Sequence, residues 1–375
     1  MGDVAIIGGG AIGLAIAWRA ALEGLSVTLA DPAPGSGASR VAAGMLAPAG
    51  EAAFGEELLL RLNLESATRY PSFVAELEEA TGASCGYREC GALVVATDGD
   101  ELAALQRELR FRAEVGLDAE PLTARECRRL EPRLAPSLRG GVLLRGDHQV
   151  DPRALVSGLL IAIERSGVDV RRQRAAVDVR DGLVRGITLD DGSQVHADRV
   201  VIAAGSWSAS IAGVPDAARP PVYPVKGQDL HLRERRDMQL ASHVVRGNGV
   251  YVLPRGDGRY VIGATSEEQG FDTSVTAGAV YELLRDARAL LPDVSELELV
   301  EAAAGLRPGT PDNAPLLGET VVAGLFAATG HYRNGILLTP VTADAMVALL
   351  TDEAMPDVAA PFTPARFAAY AAVVA

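Results

Sequence analysis

Val4-Ala5-Ile6-Ile7-Gly8-Gly9-Gly10-Ala11-Ile12-Gly13 holds four apolar residues, a glycine run and the start of an apolar segment that closes at Gly24. A second apolar run, Val27 to Ala30, follows and ends on Asp31. Read as strand, turn, helix and strand, residues 4–31 make a βαβ unit. The glycines satisfy G-x-G-x-x-G directly after the strand and at the mouth of the helix, and Asp31 stands 18 residues after Gly13. Each part has a mechanical task. Gly8 permits the tight turn, Gly10 lets the backbone approach a pyrophosphate, and Gly13 lets helix and strand pack closely. Ala11 and Ile12 open the helix, whose N-terminal N–H groups and positive potential suit phosphates. Asp31 is placed to accept ribose hydroxyls, and an acid there argues against a ribose 2′-phosphate. The unit therefore points to a dinucleotide, with FAD and NAD both open at this step.

Outward from this unit, Glu56 to Gly82 and Asp100 to Gly116 have amphipathic helical spacing, while Gly91 to Thr97 and Gly141 to Arg145 read as short strands. Asp151-Pro152 starts a helix that runs to about Ser166. Short strands follow, with a hairpin at Asp190-Asp191-Gly192, and end on the apolar strand Arg199 to Ala203. Between Tyr223 and Glu301 the pattern is mainly β, including a hairpin across Arg255-Gly256-Asp257-Gly258 and one helix from about Ala277 to Leu291. A second sheet is expected there. The strand Leu325 to Ala328, a turn at Gly330 and a helix through Leu350 repeat the opening logic. The nucleotide-binding domain is thus expected to be discontinuous, built from residues 1–80, 140–215 and 300–375. Residues 81–139 and 216–299 would form a smaller substrate domain.

Composition narrows the partners. The 375 residues are 48% hydrophobic, enough for a sizeable core, and carry a formal net charge of −14. That acidic field repels nucleic acid and anionic membrane surfaces, so neither is expected as a partner. No apolar run approaches the ~18 residues a membrane helix requires. The first strand begins almost at Met1, leaving no leader peptide, and the expected location is the cytoplasm. Cys85, Cys90 and Cys127 lack zinc-pair spacing, and neither they nor the histidines form a ligand pattern, so no metal is expected.

Two further segments separate FAD from NAD. Residues 36–48, which include Ala38, Ser39, Ala43, Gly44 and Met45, are rich in small residues just after the second strand, as suits backbone lying against a flat ligand. Thr329-Gly330-His331-Tyr332-Arg333-Asn334-Gly335-Ile336-Leu337-Leu338 is a second strand-turn-helix, whose dipole can stabilise negative charge on a reduced flavin. Nicotinamide needs no such partner.

Together with Ala-Gly-Ser-Trp at 204–207, Pro-Val-Lys-Gly at 224–227 and Gly-Leu-Arg-Pro-Gly-Thr at 305–310, these segments resemble the glycine oxidases of thiamine biosynthesis, within the FAD-dependent D-amino-acid oxidase family. The resemblance covers essentially the whole chain. It implies an α/β fold of the D-amino-acid oxidase type: a discontinuous Rossmann-like FAD-binding domain plus a smaller α+β substrate domain with an antiparallel sheet. It implies FAD contacts at Gly8, Gly10, Ala11, Ile12, Gly13, Asp31, Ala38, Ser39, Ala43, Gly44, Met45 and Ala176, and along His331, Tyr332, Arg333, Asn334, Gly335, Ile336 and Leu337.

Substrate residues implied in the same way are Tyr251, Arg307 and Arg333, with Arg307 as the carboxylate clamp. A planar carboxylate matches a guanidinium fork in geometry as well as charge, which gives Arg307 a physical reason of its own. Arg333 can hold either the substrate or neighbouring protein groups. His331 is expected to act through its backbone. No cysteine follows Cys127, where related sarcosine oxidases attach flavin, so FAD should be non-covalent.

The implied reaction takes a hydride from the α-carbon of glycine, or of sarcosine or a small D-amino acid, to flavin N5. It gives an imine for thiazole synthesis, and molecular oxygen is reduced to hydrogen peroxide. No side-chain acid or base is required. A homotetramer is the implied assembly. The alternatives are a D-amino-acid oxidase or dehydrogenase of another substrate range and, further off, an NAD-dependent dehydrogenase.

Overall fold

Strand β1 (Asp3–Ile7), helix α1 (Ala11–Leu22) and strand β2 (Ser26–Ala30) form the βαβ unit in the computed structural model, which describes residues 3–235, 238–247 and 249–367. β1 lies parallel to β2, with Ile7 opposite Ala30. Arg199–Ile202 adds in parallel on the other side of β1, followed by Leu325–Thr329. The full order of this six-stranded sheet is Leu316–Glu319, Leu325–Thr329, Arg199–Ile202, β1, β2 and Asp169–Arg171, antiparallel only at the Leu316–Glu319 edge. Ile6, Val201, Phe326 and Leu29 pack into a core formed with the helices, as expected for strands covered on both faces.

Those helices are α1, Glu57–Thr81, Pro152–Arg165 and Thr339–Leu350, which pack on one another. Local chemistry sets their ends. Asp151 caps Pro152–Arg165 by accepting the Arg153 and Ala154 N–H groups, and Pro152 sits in the first turn where its missing N–H costs nothing. Gly82, at φ +69, closes Glu57–Thr81 in the left-handed conformation, its N–H donating to the Glu78 carbonyl.

The second layer is an eight-stranded sheet in the order Glu298–Gly309, Tyr223–Arg233, Arg259–Gly263, Val250–Pro254, Val244–Gly247, Ala92–Ala96, Gly140–Leu144 and Glu120–Thr123. All its pairings are antiparallel except Val244–Gly247 with Ala92–Ala96. Leu230, Leu232, Val252 and Ile262 form a core under this sheet with the Ala277–Leu290 helix. The seams expected at 140 and 300 fall on strands of this layer, since Gly140–Leu144 pairs with Ala92–Ala96 and Glu298–Gly309 with Tyr223–Arg233. Pairing along eleven and twelve residues ties those two long strands together, whatever helix or turn adjoins them in sequence.

The helix expected after Gly330 begins later. Tyr332–Asn334 is a short 3-10 turn, and the α-helix starts at Thr339 with Pro340 in its first turn. Proline has no N–H to give and blocks an earlier start, because it would then lie in the helix interior. Among the described residues no helix is long and apolar enough to cross a membrane.

Candidate active site

Residues from both sheets line a cavity of about 1120 Å³. One wall is mostly backbone. It contains Gly8, Gly10, Ala11 and Ile12 at the N-terminus of α1, Asp31 at the end of β2, and Ala38, Ser39, Ala43, Gly44 and Met45; Ala176 lines the cavity too. No acidic residue stands in the first turn of α1 and no side chain of its N-cap residue bonds there, so the helix end is left to neighbouring loops and to a ligand. The Ser39 hydroxyl accepts the Ala11 N–H at 3.0 Å. Asp31 holds the loop, accepting the Gly9 and Ala33 N–H groups at 2.7 Å each. Its carboxylate has lone pairs to spare for ribose hydroxyls.

Two of the predicted contacts stand behind this wall. A Cβ on Gly13 would lie 2.0 Å from the Gly8 carbonyl oxygen, so Gly13 is a packing glycine. Leu337 is buried in the core, and its carbonyl accepts the Ser66 hydroxyl at 2.6 Å. His331, Tyr332, Arg333, Asn334, Gly335 and Ile336 do line the cavity. His331 is buried with Nε2 3.0 Å from the Thr342 hydroxyl, and burial pushes its pKa down to about 3. It is neutral at physiological pH. Arg333 is half exposed, with Nε 3.5 Å from a Glu51 carboxylate oxygen and its guanidinium beside the Tyr332 ring.

The other wall is made of side chains, each from a different strand. Register places Arg246 opposite Tyr251, Tyr251 opposite Gly263, Gly263 opposite Asp229 and Asp229 opposite Ala303. Directly paired residues share a sheet face, so these five form one row. Tyr251 lies over Gly263, where a Cβ would come within 2.3 Å of its hydroxyl oxygen. Arg307 lies over Gly227, where a Cβ would come within 2.3 Å of Nη1. Both glycines are clearances for the side chains above them.

Charges on this wall are matched unequally. Arg246 donates to Glu51 at 2.6 Å, and Arg333 also faces Glu51. Arg307 instead donates through Nη1 to the Thr265 carbonyl at 3.0 Å, and has no carboxylate partner among the described residues. Burial, then the nearby Asp229, hold the Tyr251 hydroxyl well above its ordinary pKa, so it stays a neutral donor. Asp229 itself is buried and its pKa is raised, first by burial, with His231 opposing. Sequence reasoning missed Asp229, Arg246 and Glu51. Gly227 and Gly263 mark the side chains that cross over them from other strands, Arg307 and Tyr251, and leave no mark of these three.

A cavity of this volume, above the ~300–1,000 Å³ of ordinary small-molecule sites, has room for a dinucleotide and a small substrate together. The helix N-terminus, free of acidic residues in its first turn, the ribose-ready Asp31 and the flat small-residue run fit FAD at one wall. The unpaired arginine and the tyrosine fit a small carboxylate at the other.

Comparison with known proteins agrees with this geometry. Residues 3–349 match the family model described as FAD dependent oxidoreductase. A glycine oxidase of Geobacillus kaustophilus is 38% identical over 343 residues, covering 91% of this chain and 90% of that protein. A bifunctional ThiO/ThiG protein of Synechocystis is 36% identical over 97% of this chain and 54% of its own length, so the chain spans about half of that relative. The crystal structure of the Geobacillus kaustophilus glycine oxidase superposes with a TM-score of 0.88 at 36% identity, over 97% of this chain and 98% of that one. An iminodiacetate oxidase of Chelativorans superposes equally well, TM-score 0.88, at 29% identity over 96% and 98% of the two chains. With the family model spanning nearly every residue and a relative this similar over nine-tenths of its length, the chain belongs to the FAD-dependent oxidoreductase family.

Proposed function

We propose that this protein oxidises glycine, and with it sarcosine or small D-amino acids, to the imine, which water hydrolyses to glyoxylate and ammonia when glycine is the substrate. Molecular oxygen is the acceptor and hydrogen peroxide the second product. The observation that carries this reading is Arg307, a guanidinium on the cavity face with no carboxylate partner among the described residues. The glycine oxidase relatives support the choice of substrate. The match to bifunctional ThiO/ThiG proteins supports supply of the imine to thiazole synthesis in thiamine biosynthesis.

FAD, when bound, supplies the hydride acceptor. The chain's own contribution is positioning. Arg307 takes the substrate carboxylate in its free fork, fixing the distance and angle of the α-carbon from the opposite wall. Tyr251 donates its hydroxyl to the same carboxylate, and Gly227 and Gly263 let both side chains lie flat. Arg333 holds Glu51 and walls the cavity. Gly8, Gly10, Ala11, Ile12, Asp31, Ala38, Ser39, Ala43, Gly44, Met45, Ala176 and the 331–336 turn hold FAD non-covalently, with Gly13 and Leu337 supporting them from behind. The nucleotide-binding unit is the discontinuous one, and the active form is a cytoplasmic homotetramer.

The test is an anaerobic absorbance titration of the yellow protein with glycine, sarcosine, D-alanine and D-proline, followed by air and a peroxide assay. Bleaching by glycine with peroxide on reoxidation is expected. Bleaching only by a bulkier amino acid moves the substrate, and bleaching by none overturns the reading.

A further inference from the structure

Asp229 is only 3% exposed, lines the cavity, and leaves Oδ1 with no hydrogen-bond partner among the described residues. The nearest side-chain nitrogen, His231 Nε2, is 3.6 Å away, outside hydrogen-bond range. Arg153 also faces it, but that guanidinium is held by both oxygens of Glu301, at 2.8 and 3.0 Å. Arg246, at the far end of the row, has one unpartnered nitrogen as well, yet Glu51 balances its charge. A buried carboxylate without a donor is expensive unless a partner arrives in use. The partner it lacks is a cationic or strongly polarised N–H.

The spacing says which one. Asp229 lies two residues beyond Gly227 on one strand, and the guanidinium of Arg307 lies over Gly227. Residues two apart on a strand share a face and are separated by roughly 7 Å. An α-amino acid places its nitrogen roughly 2.5 Å from its carboxyl carbon. With the carboxylate oxygen about 1.2 Å beyond that carbon and a charge-assisted hydrogen bond of about 2.8 Å at each end, the fully extended span is roughly 9 Å, shortened where those bonds meet at an angle. Building on the amino-acid oxidase reading, we propose that Asp229 accepts hydrogen bonds from the amino group of the substrate whose carboxylate Arg307 holds. The pair reads a small amino acid end to end, Asp229 accepting from the N–H groups that the neutral amine carries. It favours amines that keep at least one N–H, admits sarcosine, and rejects a fully N-methylated glycine.

The holoprotein of Asp229→Asn tests this. For glycine, the dissociation constant comes from the concentration dependence of anaerobic flavin bleaching. For acetate and glycolate, which lack the amino group, it comes from the perturbation of the oxidised flavin spectrum. The expected result is at least a ten-fold weakening for glycine, acetate and glycolate within two-fold of wild type, and a melting temperature no lower than wild type. Equal weakening of all three ligands, or glycine binding unchanged, overturns the assignment. If Asp229→Asn fails to fold, Asp229→Glu keeps the charge and moves it by one methylene. The same selective loss is expected there, and a non-selective one overturns the assignment. Failure of wild-type flavin to bleach with any small amino acid removes the functional reading and this inference together. Bleaching in wild type with an unaltered variant removes the inference alone.

Discussion

The two walls of the cavity are built on opposite plans. The nucleotide wall uses backbone: a glycine loop, a helix end and a small-residue run, with Asp31 tying the loop together through two N–H groups. The substrate wall uses side chains, Arg246, Tyr251, Asp229 and Arg307, from four strands of the second sheet, with glycines cleared beneath two of them. In the first wall, the contacts that would hold the ligand are the contacts that hold the fold. In the second, the ligand-facing atoms can change while the strands keep their pairing. Damage to one should therefore remove cofactor and stability together, and damage to the other should alter substrate affinity alone.

Gly13→Val is the harshest way to break that contrast. Its side chain would start 2.0 Å from the Gly8 carbonyl oxygen, and backbone cannot yield as a flexible side chain does. Overpacking at such a site costs about 3 kcal/mol or more, and the expected product is a protein with little or no FAD and a strongly lowered melting temperature. A yellow, normally stable Gly13→Val protein would show that the two roles are separable.

On the substrate wall, Arg307→Ala removes a charge-assisted pair worth about 1.5 to 3 kcal/mol. That corresponds to a rise in KM for glycine of roughly 10- to 150-fold, with FAD content and melting temperature unchanged. Steady-state kinetics and the ratio of flavin to protein absorbance check both halves. Gly227→Ala should reproduce a smaller version of the same defect without touching a polar group, because its Cβ would displace a guanidinium nitrogen now 2.3 Å from that position. Wild-type affinity in Gly227→Ala would refute the clearance argument. Tyr251→Phe is milder, at about 0.5 to 1.5 kcal/mol for a neutral hydrogen bond, and should raise KM by roughly 2- to 10-fold. A loss as large as that of Arg307→Ala would mean that the hydroxyl does more than donate.

The same contrast decides what could be read in the sequence. The first part of the nucleotide wall is local: residues 8–13, Asp31 and 38–45 act within one stretch, so strand, glycine turn and acid are legible in order, while Ala176 and the 331–336 turn join it from far along the chain. The substrate wall exists only through register. Nothing in Gly-Gln-Asp-Leu-His reveals that Asp229 stands beside Gly263, or that Arg307, 80 residues after Gly227, lies over it. Arg307 and Tyr251 were reached through family resemblance, whereas Asp229 and Arg246 carried no signal of either kind. The seams at 140 and 300 were hidden for the same reason, because membership of a sheet is a property of pairing partners. Local signals behave otherwise: the capping box Thr123-Ala124-Arg125-Glu126 lies within four consecutive residues, and its reciprocal bonds start the Ala124–Leu130 helix.

Two buried titratable groups, one in the nucleotide wall and one behind the substrate wall, oppose each other. His331, in the turn of the nucleotide wall, has its pKa lowered by burial to about 3 from an ordinary 6.5. Asp147 accepts the Ala49 and Gly50 N–H groups beside Arg246, and burial raises its pKa to about 6 from 3.8, against the pull of those bonds and of Arg246. Between about pH 4 and 6, unfolding lets His331 gain a proton and makes Asp147 lose one. The His331 contribution is present above pH 6.5 and is lost as pH falls toward 3. The Asp147 contribution is present below pH 3.8 and is lost as pH rises through 6. Each slope is about 1.4 kcal/mol per pH unit, with opposite signs, so in the wild-type protein they cancel across this window. His331→Gln should tilt the stability profile toward acid relative to wild type, and Asp147→Asn should tilt it toward neutral pH. Denaturant midpoints at pH 4, 5 and 6 measure both tilts, and parallel profiles for the three proteins would show that these groups titrate alike in the folded and unfolded chain.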